Sequence, residues 1–187
     1  MRREILGALA VLMTVATATT FSQSGKSPTA VTYVTAEDID TVVKAAGGGD
    51  REIKIVDMGR YNLGVAVLRR AALKPGPTVG GINHTKVTEV YYVVSGEGTL
   101  VTGGDVKDVK PLAADNELVT TIVGPSNNAT FVKPAETRKI KTGDVIIIPA
   151  GVYHGFSEVI DHIEYVTVRP DMEKVLPAGY INPALKK

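Results

Sequence analysis

The sequence predicts an all-β barrel or sandwich with one short helix near its N-terminus. Short runs rich in valine, isoleucine, threonine and tyrosine recur at regular spacing between glycine turns, the pattern of a compact antiparallel β domain. Helical periodicity is confined to Ala36–Ala46, and no pattern repeats along the chain. With 187 residues, 44% of them hydrophobic, the chain is long enough for one sizeable core.

Bulk properties exclude several classes of function. The formal charge is +1, so nothing favours nucleic acid or an anionic membrane as a partner. Cysteine is absent, which removes disulfides, thiol catalysis and thiolate metal sites.

In chain order, the first segment is a basic start at Arg2 and Arg3, then an apolar run from Ile5 to Ala16, then small residues at Ala16-Thr17-Ala18. This is the pattern of a signal peptide, and the run is too short to span a bilayer. Cleavage is expected after Ala18, or as late as residue 23, giving a periplasmic or secreted chain with no membrane contact after cleavage. Residues 24–60 read as an N-terminal extension that carries the helix. Thr35 with Asp38 forms a capping signal, Ile39, Val42, Val43 and Ala46 fall on one face, and Gly47-Gly48-Gly49 stops the helix.

The barrel is expected over residues 61–170, and the tail 171–187 wraps the surface or a partner subunit. Alternation marks Ile53–Met58 and Leu63–Leu73 as strands, the second ending at Pro75-Gly76-Pro77. Val90–Val94 reads as a strand, and Gly96-Glu97-Gly98 as the turn of a hairpin closed by Thr99–Thr102, before a turn at Gly103-Gly104. An insertion of about residues 105–139 reads as a loop near the cavity mouth, with a short strand at Leu118–Val123 and an exposed turn at 124–128. The β-branched run Val145–Ile148 predicts a buried strand, ended by Pro149 and Gly151. Ile163–Val168 is a further strand, with His162 in the charged turn before it.

Two of the three histidines carry the chemistry. His154 stands three residues after Gly151, where a tight turn delivers its imidazole to a fixed place. His84 lies five positions before Glu89. An odd separation puts two side chains on opposite faces of one straight strand, so the segment Thr85–Thr88 must turn if both are to face one cavity. Two imidazoles and one carboxylate suit iron(II), manganese and related divalent ions. Tyr91 and Val93 share the parity of Glu89, and Phe156 that of His154, so these residues, with Ile82, are the expected pocket lining.

The same residues resemble the two motifs of the cupin superfamily. Gly143, Pro149, Gly151 and His154 have the spacing of the second motif, with Glu158 in place of its final asparagine. Gly76, His84, Glu89 and Gly96 have the spacing of the first, and the first histidine of its pair falls on Ile82. The resemblance covers roughly Gly76–Phe156 and implies a cupin-type β-barrel, a jelly roll or double-stranded β-helix, in a single exported domain. It further implies a divalent metal (iron, manganese, zinc or nickel) on His84, Glu89 and His154 and a small-molecule ligand. The chemistries it implies are oxygenase, isomerase or lyase, and a homodimer through sheet edges is the implied assembly. The substitution at Ile82 keeps a second reading open: a non-catalytic barrel that has lost its metal and binds a sugar or another metabolite.

Overall fold

The structure, a computed structural model, describes residues 28–186; the segment read as a signal peptide lies outside them. Helix α1 (Ala36–Ala46) precedes seven strands: β1 (Gly49–Asp57), β2 (Asn62–Leu73), β3 (Gly80–His84), β4 (Glu89–Pro111), β5 (Ser126–Lys141), β6 (Val145–Ile148) and β7 (His154–Asp171). The strand order is β1-β2-β7-β3-β5-β4-β6, and β7 also pairs with β4. The circuit β7–β3–β5–β4–β7 therefore closes on itself, and all pairings are antiparallel. This is the all-β cupin-type barrel that the motifs imply.

The long strands β4 and β7 serve as both walls, because register shifts let each bend from one pairing partner to the next. The hairpin expected at Gly96-Glu97-Gly98 is one of these bends, and β4 runs on through it to Pro111. Gly96 holds φ +77°, and a Cβ there would sit 1.9 Å from the carbonyl oxygen of His162. Only glycine allows that close approach of β4 to β7. Gly103 and Gly104 likewise lie within the strand rather than in a turn.

Most of the expected insertion is sheet. β4 and β5 pair from Glu97 and Lys141 out to Pro111 and Asn127, with β7 on the other edge of β4 as far as Thr102 and β3 on the other edge of β5 over Ser126–Thr130. Leu118–Ile122, expected within a strand, is one turn of π-helix. Ser126, expected in an exposed turn, opens β5 and is buried. His162 lies inside β7, where Ser95 Oγ and the Asp161 carboxylate meet its two ring nitrogens, so it is not in a turn.

The core fills the barrel with Leu68, Val93, Leu100, Ile140, Phe156, Ile163 and Tyr165 among others. The run Val145–Ile148 is a half-buried edge strand, not a fully buried one: Val145 and Ile147 are 62% and 67% exposed, Ile148 only 3%. Helix α1 has the capping box of Thr35 and Asp38 and ends at Gly47 in the left-handed region. It packs Val42 on Ile53 and Val67, outside the barrel; burying one such side chain is worth about 1.5–3 kcal/mol. The tail returns to β1 through the Ile181–Lys54 bridge and the Asn182 side-chain hydrogen bond to the Glu52 carbonyl.

Candidate metal centre

β3, β4 and β7 deliver one side chain each to the same point. His84 is the last residue of β3 and Glu89 the first of β4, and the turn between them brings both inward. His154 is the first residue of β7, paired with Ile82 across the sheet. The turn before it is clamped to β3, because Gly151 N–H donates to the His84 carbonyl at 2.8 Å and the Asn83 amide donates to the Gly151 carbonyl.

The three side chains are buried, and one ligating atom from each lies within 4.8 Å of the others. Glu89 Oε2 is 3.3 Å from His84 Nε2 and 3.2 Å from His154 Nε2. Ligands at about 2.1 Å from a metal and at right angles to each other are separated by about 3 Å, so this spacing suits one ion.

The hydrogen bonds fix which nitrogen keeps a proton. Ser126 Oγ donates to the Gly124 carbonyl at 2.8 Å, so toward His84 Nδ1, also 2.8 Å away, it can only accept. His154 Nδ1 faces the Val152 carbonyl at 3.1 Å, an acceptor without a proton. Both imidazoles therefore carry a proton on Nδ1 and turn Nε2, the atom that would ligate a metal, toward Glu89. Burial lowers the pKa of His84, which favours the neutral form. Burial would raise the Glu89 carboxyl, but the Arg169 guanidinium and the two imidazoles together outweigh it and hold the group well below the ordinary carboxylate range. Two imidazole nitrogens and an ionised carboxylate thus converge on one volume, and a cation placed there would satisfy all three. The residues present fit a divalent metal.

The support around Glu89 was not legible in the sequence. The Tyr91 hydroxyl donates to Oε2 at 2.8 Å, while Arg169 Nε and Nη2 hold Oε1 at 2.9 and 2.8 Å. Arg169 also meets Glu52 Oε2 at 3.1 Å and the Asp50 carboxylate, and no part of its side chain is exposed. Burial, opposed by Arg169, pushes Glu52 up to about 8, so it is largely protonated at neutral pH. Nothing local in the sequence marks Arg169, whose partners lie 80 to 119 positions away. Ser126 was missed for the same reason, 42 residues from His84.

A cavity of about 340 Å³ opens on the site and is bordered by Ile82, His84, Glu89, Tyr91 and His154. Val93 and Phe156, expected beside them, do not border the cavity and pack in the core cluster that Tyr91 shares. Leu118 and Val123 roof the cavity, so the segment between β4 and β5 does reach its mouth. Asp50, Arg51 and Arg70 complete the wall. A groove of about 400 Å³ along β5 and β6, beside Arg138, Ile140 and Val152, is larger but borders none of the three candidate ligands.

Barrel and site together define a cupin. Residues 54–158, more than half of the chain, match the sequence profile of the cupin family, and the chain belongs to that family as a single-domain member. Among solved structures it is similar to the protein BH2720 of Bacillus halodurans, at 14% identity and TM-score 0.46, over 83% of this chain and 91% of that one. It is also similar to the DMSP lyase DddQ of Ruegeria pomeroyi DSS-3, at 13% identity and TM-score 0.40, over 75% of this chain and 54% of that one. A cupin protein, BF4112, of Bacteroides fragilis gives 14% identity and TM-score 0.36, over 63% of this chain and 71% of that one. No curated protein matches.

Proposed function

We propose that this cupin is exported to the periplasm or beyond, binds one divalent metal through His84, Glu89 and His154, and acts on a small molecule in the adjoining cavity. The observation that carries the reading is the pair of Nδ1–H imidazoles, set by Ser126 and the Val152 carbonyl, which aim both Nε2 atoms at Glu89 Oε2. The N-terminal signal pattern supports export.

A bound iron, manganese, zinc or nickel ion would supply Lewis-acid or redox chemistry at the cavity floor, of the oxygenase, isomerase or lyase type. The chain's own residues do the positioning. Ser126 and Val152 orient the imidazoles, Arg169 helps keep Glu89 ionised, and the Tyr91 hydroxyl steadies Oε2. Ile82 offers no donor where the family motif has a histidine, so a position is left to water or to the small molecule.

Ile82 also favours a second reading, a barrel that holds no metal and binds a metabolite without chemistry. Mass spectrometry of protein purified without a nickel column separates the two. The first reading expects one equivalent of a divalent metal, with less retained by His84→Ala and His154→Ala. Parent protein that takes up no metal under anaerobic reconstitution, or variants as well loaded as the parent, would favour the second.

A further inference from the structure

Arg70 is a cation that borders the cavity. It follows Leu68 by two residues on β2, where the strand emerges from the core, and is exposed at the border of the cavity that holds His84 and His154. Among the described residues it makes no ion pair, whereas its neighbour Arg69 is paired with Glu164 at 3.1 Å. Its stem is nevertheless held. Nε donates to the Tyr165 hydroxyl at 3.3 Å, and the guanidinium carbon lies 5.2 Å from the centroid of the Phe156 ring. Both aromatic rings are buried in the core. Binding through Nε leaves the two terminal nitrogens, the fork that matches a carboxylate, without a protein partner. Arg51 stands on the same wall, and among the described residues its side chain is hydrogen-bonded only to the Asp50 carbonyl.

The local charge count points the same way. Arg51, Arg70 and Arg169 balance Asp50, Glu52 and Glu89 even with every carboxylate ionised, so a divalent ion would leave this wall net positive. Such a cavity attracts an anion and repels a cation.

We infer that the cavity takes a small organic carboxylate, anchored by the Arg70 fork, with Arg51 as a further cation and the metal side of the cavity as its second contact. The inference rests on the proposed function for that second contact and on the free guanidinium for the first. Fixing Arg70 on Tyr165 and Phe156 presents a fork already oriented, so little side-chain freedom is lost on binding.

Calorimetric titration of acetate and succinate, with succinamide as the uncharged counterpart, tests it on the full chain, metal-free and metal-loaded. Wild-type protein is expected to bind at least one carboxylate and not succinamide. Arg70→Gln is expected to weaken that binding about tenfold or more with metal content unchanged, and Arg70→Lys to recover part of it. Because the comparison of succinate with succinamide needs no variant, it stands even if Arg70→Gln fails to fold. Should the protein take no metal, binding is expected to be weaker but still lost in Arg70→Gln, so the metal reading can fail alone. Absence of binding to either carboxylate, equal binding of succinamide, undiminished binding by Arg70→Gln, or binding of inorganic phosphate alone would each overturn the assignment.

Discussion

Replacing Arg169 by methionine removes the cation around which one side of the site is assembled. The guanidinium is fully buried and touches three carboxylates: Glu89 Oε1 at 2.8 and 2.9 Å, Glu52 Oε2 at 3.1 Å, and Asp50. Methionine fills much of the stem but leaves the ionised Glu89 carboxylate buried without a counter-charge. Breaking a buried pair from one side costs about 3–5 kcal/mol, because the partner keeps its desolvation penalty. A domain of this size has about 5–15 kcal/mol in all. At a urea slope of about 2 kcal/mol per M, the unfolding midpoint at pH 7 is expected to fall by about 2 M. Arg169→Lys keeps the charge but not the fork, and its loss should be smaller. Urea titrations followed by circular dichroism would measure both. A shift under about 0.5 M for Arg169→Met would show that the three carboxylates do not depend on this guanidinium, and the account of Glu89 as a fixed anion would fall with it.

Glu52 gives the fold a dependence on pH. Its folded pKa, about 8, lies above the ordinary 4.5, so the folded state holds the proton more tightly; its contribution is fully present below 4.5 and lost as pH rises through 8. His84, lowered in the fold, works oppositely: its contribution is present above its ordinary 6.5 and lost as pH falls. Between pH 6.5 and 8 Glu52 acts without it, and about 2 kcal/mol of stability should disappear. Glu52→Gln should flatten that part of the curve, and a flat wild-type profile would contradict the assignment. Ser126→Ala removes the acceptor that sets the His84 tautomer, so zinc or manganese affinity measured by calorimetry should fall about 10- to 100-fold with the fold intact. Unchanged affinity would mean that another group orients the ring.

What the sequence disclosed was whatever depends on near neighbours. The bounds of α1 could be read because its capping box, its apolar stripe and its glycine stop are all local. His84, Glu89 and His154 could be singled out because each sits at a strand end next to a turn whose residues are visible. The strands β4 and β7 were cut too short for a physical reason. Gly96, Gly98 and Gly103 look like turns, but in a barrel a glycine also lets a strand bend or lets two backbones approach. Arg169 and Ser126 were illegible because their roles come from partners far along the chain. Val93 and Phe156 show the limit of parity: alternation gives the inward face, but not which inward residues border the cavity.

X-ray absorption at the edge of the bound metal tests the central claim most directly. The account expects a shell of nitrogen and oxygen ligands at about 2.0–2.2 Å with outer scattering from two imidazoles, falling to one in His154→Ala. No imidazole scattering, or a count of two that survives His154→Ala, would place the metal elsewhere and contradict the His84–Glu89–His154 site.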